Sequence, residues 1–194
     1  MGDISSILCY NGSMEKKKMK TIAFFGHRRL RCRDISDRVK KVMENYLDQE
    51  IHCLIGTHGE FDNLVLSVCR ELRNSFPNIR ITLIFTTLTV FNKKADEVCA
   101  IAELYKDVET MIYEIEQEHF KNRIVASNKK MVDESDVVIC YVDMERTRSG
   151  ARRAIKHAMK QEKEVINLFK EEDRPFYGLS EKEIMYQWQK FIKS

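Results

Sequence analysis

The chain has 194 residues, 43% of them hydrophobic, with two prolines and a formal charge of +3. That length and apolar share suit one domain with a sizeable core and exclude a disordered polar chain. The charge is too small to argue by itself for nucleic acid or an anionic membrane, and no run of about 18 apolar residues offers a membrane span.

Residues 1–18 carry the basic run EKKK but lack the apolar core of a signal peptide, so they read as a poorly ordered extension before a fold that begins at Met19. Cys9, Cys32, Cys53, Cys69, Cys99 and Cys140 form no CxxC pair. They read as buried free thiols of a reducing cytosol, and the protein as cytoplasmic. The five histidines show no metal-ligand spacing, so neither a metal nor a cofactor is expected.

Short apolar runs then alternate with runs of helical period. TIAFFG (21–26) predicts the first strand, and residues 34–50 a helix with Ile35, Val39, Val42, Met43 and Tyr46 on one face. IHCLIG (51–56) predicts a strand, and 60–76 a helix showing Leu64, Val68 and Leu72. IRITLIFTTL (79–88) is a third strand, followed by a helix over 93–108 with Val98, Ile101, Ala102 and Tyr105 inward. TMIYEI (110–115) is a weaker strand and 118–134 a helix. VVICYVD (137–143), a helix over 151–163 and EVINLF (164–169) complete the alternation. In the tail, Ser180 and Glu183 make a capping box for a helix over 180–193, with Ile184, Trp188 and Phe191 on one stripe.

Alternation of this kind predicts a Rossmann-like α/β fold, a doubly wound and mainly parallel sheet covered on both faces. Ligands of such sheets sit beyond the carboxyl ends of the strands, and unusual residues stand at three of them. Gly26-His27-Arg28-Arg29 follows the first strand. GTHGEFD follows the second, with Gly56 and Gly59 before a helix and Asp62 just inside it. DMERTRSGARR follows the strand over 137–143. Glycines at a helix N-terminus leave backbone amides for an anion. Ser149 is the expected N-cap, with Gly150 after it, which puts Arg152 and Arg153 at the pole that disfavours cations. With Arg146 and Arg148 beside them, these four arginines predict a bound phosphate or similar anion. Asp62 has two readings: it caps backbone donors, or it holds a ribose hydroxyl.

FFGHR, GTHGEFD, NKKMVDESDVVICYV and the SGA turn, in that order from Thr21 to Phe169, resemble the SLOG superfamily of Rossmann-like proteins. That group includes the DprA/Smf DNA-processing proteins and the "lonely guy" phosphoribohydrolases; the resemblance is nearest to its YpsA-like branch. It implies one SLOG-like domain over 19–194. It also implies a nucleotide-derived ligand at the strand ends, and a homo-oligomer, a dimer first. Carried over by position, Gly26, His27 and Arg28, then Gly56, Gly59 and Asp62, then Asn128 and Met131, then Gly150 match the branch. The chain departs from it in having Ser127 where an arginine is usual, with Arg123, Lys129 or Lys130 to supply the charge. Ser149 replaces a glycine, and Ala154 stands near the position of the lonely-guy glutamate.

The first functional reading is therefore a sensor or sequestering module for a nucleotide or nucleotide sugar such as ADP-ribose. Arg28 and Arg148 neutralise charge, turn amides hold phosphate, and His27 and Asp62 orient the ribose. The alternative is a nucleotide N-glycoside hydrolase, phosphoribohydrolase or deoxyribosyltransferase-like, which needs a carboxylate beside the sugar. Glu114 and Glu116 are its candidates, with Asp62 a third. Single-stranded nucleic-acid binding is a third reading, disfavoured because no aromatics accompany Arg146 to Arg153.

Overall fold

The computed structural model describes residues 19–30, 32–86, 95–113, 122–147, 149–176, 182, 185, 186 and 189. The strands are β1 (Lys20–Gly26), β2 (Ile51–Ile55), β3 (Ile79–Phe85), β4 (Glu109–Ile112), β5 (Val137–Tyr141) and β6 (Glu164–Asn167). Between them lie α1 (Ile35–Met43), α2 (Glu60–Ser75), α3 (Ala95–Leu104), α4 (Arg123–Glu134) and α5 (Gly150–Lys160). All the strand pairs are parallel, in the order β4-β3-β2-β1-β5-β6. The expected doubly wound α/β sandwich is the fold.

The alternation of side chains along each central strand explains the two layers of helices. Ile22 and Phe24 of β1 enter a core shared with Ile35, Val39 and Met43 of α1 and Phe61, Val65 and Cys69 of α2. Ala23 and Phe25, their neighbours, enter a second core with Met131 and Val132 of α4 and Ala151, Ala154, Ile155 and Ala158 of α5. Strand β5 divides likewise, Ile139 and Tyr141 to the first core and Val138 and Cys140 to the second. The chain lays β1 to β4 outward, then returns across the sheet to set β5 against the other side of β1. Neighbouring loops diverge at that switch point, and a crevice forms between them.

Several boundaries differ from the expected ones. The first helix stops at Met43 and tightens into a 3₁₀ turn over Glu44–Tyr46, which still buries Tyr46. In α2 the buried stripe runs through Phe61, Val65, Val68 and Cys69, while Leu64 and Leu72 lie at its margin. Ala102 is exposed on α3, whose Ile101 packs inward together with Tyr105 just beyond the helix. Of the thiols, Cys53, Cys69 and Cys140 are buried as expected, but Cys32 is half-buried and Cys99 is exposed on α3. The extension, Cys9 and most of the tail helix lie outside the described residues. No helix among the described residues is long and apolar enough to cross a membrane.

After β6, a 3₁₀ segment over Glu171–Phe176 is fastened to α1 by an ion pair. The Arg38 guanidinium donates to both oxygens of Asp173, at 2.6 and 3.0 Å, and to the Leu168 carbonyl at 2.9 Å. Asp173 is 3% exposed. Burial raises its carboxyl pKa, but the Arg38 fork and the Lys170 amide outweigh that and hold it below the ordinary value. Cys32, Asp34 and Asp173 lie close enough together to suggest a metal site, yet Arg38 bonds to all three. A guanidinium supplies the positive charge there, and burial with the Asp34 hydrogen bond pushes the Cys32 thiol up to about 12, so it stays protonated.

Candidate functional site

Two turns are pressed together at the carboxyl end of the sheet. A Cβ on Gly26 would stand 2.2 Å from the Phe61 ring, so the end of β1 needs glycine to let α2 dock. A Cβ on Gly59 would stand 2.8 Å from the Arg28 Cα, a backbone-to-backbone approach. The Glu60 amide donates to the Arg28 carbonyl at 2.9 Å, and the Leu30 amide donates to Glu60 Oε2 at 2.7 Å. These contacts seat the start of α2 on the Gly-His-Arg turn.

The β5–α5 loop forms the other wall. Ser149 is the N-cap of α5, as expected, and its Oγ accepts from the Arg152 amide at 3.2 Å. Between the walls lies a cleft of about 490 Å³. It is lined by Gly26, His27, Arg28, Gly56, Gly59, Asp62, Asn128, Met131, Ser149 and Gly150, ten of the eleven residues singled out for a ligand. The eleventh, Arg148, lies outside the described residues, as do Glu114 and Glu116. Arg146, one of the four arginines expected to meet an anion, joins the lining, as do Arg29 and His58, which only their place in the turns hinted at.

Individual roles differ from the expected ones more than the membership does. His27 is 4% exposed, and its Nε2 accepts a hydrogen bond from the Asp143 amide at 2.9 Å. Burial, with the Arg146 charge nearby, lowers its pKa to about 4, against the opposing pull of Asp143. The imidazole is thus a neutral acceptor that ties β1 to the loop after β5. Its carbon-bound proton signals in NMR are expected to titrate near pH 4 and not near the ordinary 6.5. A midpoint at 6.5 would mean that the Asp143 bond is absent.

Asp62 is a cap: its Oδ2 accepts from the amides of His58, at 2.8 Å, and Gly59, at 3.1 Å. With the Glu60 amide also taken, three of the donors expected to hold a phosphate at this turn are committed within the fold. Burial nevertheless outweighs those two hydrogen bonds and pushes the Asp62 carboxyl up to about 6. It is the one carboxylate among the described lining residues. His58 Nε2 is buried with no hydrogen-bond partner among the described residues, and burial together with the Arg28 charge lowers its pKa.

The group of four arginines does not act as one. Arg152 folds back and donates through Nε to the Met144 carbonyl at 2.7 Å, which relieves its misplacement at the helix pole. Arg153 is exposed and outside the cleft, so Arg146 is the member of the group, among the described residues, that lines it. Nor do Arg123, Lys129 or Lys130 supply a charge there: none lines the cleft, and the Lys130 ammonium lies 4.5 Å over the Tyr113 ring. Arg28 and Arg29 are exposed at the cleft, and neither guanidinium has a protein partner among the described residues. Ala154, near the position of the lonely-guy glutamate, is buried in the second core.

No family model matches this sequence, and no curated protein does. Solved structures do. DNA processing protein A (DprA) from Streptococcus pneumoniae superposes with a TM-score of 0.55 at 20% identity, over 88% of this chain and 56% of that one. DNA processing protein A from Helicobacter pylori, described for its single-stranded DNA binding mode, gives 0.53 at 17% identity, over 88% of this chain and 73% of that one. This chain therefore spans little more than half the length of the streptococcal protein. The likeness is one of fold, a DprA-like Rossmann sheet.

Proposed function

We propose that the chain is a YpsA-like member of the SLOG superfamily and binds a nucleotide-derived ligand, a nucleotide or nucleotide sugar, in the cleft between β1 and β5. The observation that carries this reading is the pair Arg28 and Arg29, without a partner among the described residues, at a switch-point crevice with Arg146 on the other wall. Exposed guanidinium groups that converge on a concave site suit an anion, and bidentate phosphate contacts suit arginine. The cleft volume falls within the roughly 300–1,000 Å³ of small-molecule sites. Met131 and Ile124 offer it an apolar floor.

A nucleic-acid strand suits the cleft less well, although the Helicobacter protein is described as binding single-stranded DNA. Strands are held by bases stacked on exposed aromatics. Among the described residues, the Phe, Tyr and Trp side chains lining this cleft are Phe24 and Phe25, only 1% and 4% exposed. Hydrolysis of an N-glycosidic bond is the second reading, and Asp62 favours it: a desolvated carboxyl near 6 is poised for acid–base work at neutral pH.

The test is incubation of the protein with ADP-ribose, NAD and nucleoside monophosphates, followed by mass spectrometry of bound and free fractions. An intact ligand in the bound fraction supports the binder; free base with ribose phosphate supports the hydrolase. Arg28→Ala and Arg29→Ala are each expected to weaken binding about tenfold, as loss of a charged hydrogen bond of about 1.5 kcal/mol requires. Unchanged affinity in both variants would remove the anion site. Steep salt dependence with oligonucleotides and no small-ligand effect would favour nucleic acid instead.

A further inference from the structure

We propose that Arg174, which lies outside the cleft, is a positioning residue that sets Arg146 at the anion site by clamping the β5–α5 loop; the inference rests on the reading of that cleft as an anion site. The first residues of the loop, Val142 to Arg146, are each held by a hydrogen bond. Val142 is paired with the Asn167 side chain, which accepts from its amide at 3.1 Å and donates to its carbonyl at 2.8 Å, extending the β5–β6 ladder by one residue. Met144 offers its carbonyl to Arg152. Asp143 is the hub. Its amide donates to His27, its carbonyl accepts from the Arg146 amide at 3.2 Å, and its Oδ1 accepts from the Glu145 amide at 3.0 Å. Arg146 therefore leaves a tight turn whose first residue is fixed at its amide, its carbonyl and its carboxylate.

Arg174 grips that turn from outside. One terminal nitrogen reaches Asp143 Oδ1 at 3.3 Å and the other reaches Glu145 Oε2 at 3.0 Å. Its Nε is buried with no hydrogen-bond partner among the described residues, a geometry that a guanidinium serving only the surface would relieve by turning toward water. The preceding residue, Asp173, is the one that Arg38 anchors to α1. Adjacent residues of one 3₁₀ segment thus join the α1 side of the first core to the loop that faces the ligand. A fork across two carboxylates fixes both distance and plane, which a lysine would not do.

The experiment is a double-mutant cycle on the full chain, with ADP-ribose as the probe and Arg28→Ala as the control for the site itself. Arg174→Ala is expected to weaken binding as much as Arg146→Ala, about tenfold, with the double variant no weaker than either single one. Additive losses, or a full-affinity Arg174→Ala, overturn the inference while Arg28→Ala still reports an intact anion site. If wild type does not bind, or Arg28→Ala binds as wild type does, the anion site falls and this role falls with it. A second readout needs no ligand. In Arg174→Ala, and more weakly in Glu145→Gln, the ¹⁵N signal of His27 Nε2 is expected to shift as its bond from Asp143 loosens. An unchanged signal overturns the clamp.

Discussion

Gly26→Ala is expected to cost about 3 kcal/mol, a fall in melting temperature of about 6–12 °C for a chain of this size. The added methyl would sit 2.2 Å from Phe61 Cγ, 2.4 Å from Cδ1 and 2.5 Å from Cβ. Phe61 has no room to yield: it is fully buried and stacked on Tyr141 with ring centroids 6.3 Å apart. Tyr141 is itself wedged edge-on against His27 and Phe169. Because the clash involves the stem of the side chain as well as its ring, a rotamer change does not relieve it. The β1 end or the start of α2 has to move, and the cleft moves with them. Phe61→Ala, which removes the Cγ and Cδ1 contacts, is therefore expected to lose less in the Gly26→Ala background than it does alone, where it opens a void and destabilises. Calorimetry on the two single variants and the double variant reads this directly. If Gly26→Ala melts with wild type, β1 and α2 are not docked as described.

The fold was legible because its signals are local. Ile22, Phe24, Ile139 and Tyr141 alternate with Ala23, Phe25, Val138 and Cys140, and intervening helices of 3.6 period leave few architectures for strands buried on both faces. Position within the cleft was legible for the same reason, since it needs only the rule that ligands lie past the carboxyl ends of strands. The jobs of the side chains were not. His27 is turned into an acceptor by Asp143, which lies 116 positions away, and nothing near Gly26-His27-Arg28 announces that bond. The amides before α2 look available in GTHGEFD, yet Glu60 reaches the Arg28 carbonyl. Arg152 resembles an anion ligand by its place in the helix and proves to hold a carbonyl eight residues back. EEDRPF carries no motif at all, yet its Asp173 and Arg174 bind partners 135 and 31 positions away.

Asp62→Asn is expected to stabilise the protein at pH 8, by roughly 1–3 kcal/mol, and to impair whatever the cleft does. The sign follows from burial. The carboxyl is near 6 in the folded state and 3.8 without the fold, so the folded chain binds the extra proton between those values. Stability contributed by Asp62 is then full below pH 3.8 and is lost as pH rises through 6. Asparagine keeps an oxygen for the His58 and Gly59 amides without the buried charge, so its advantage should be largest at pH 8 and shrink as the solution is acidified. His27 acts in the opposite sense: its pKa falls on folding from 6.5 to about 4, so acidification across that window costs stability. The wild-type profile mixes the two, and only the difference between Asp62→Asn and its parent, followed by urea unfolding from pH 8 to 5, isolates the carboxyl. A cap retained at such a cost beside Arg28 points to use of its charge or its proton. Loss of stability in the variant at pH 8 would make Asp62 an ordinary cap. Gain of stability with unaltered ligand behaviour would leave the carboxylate without a part in the site.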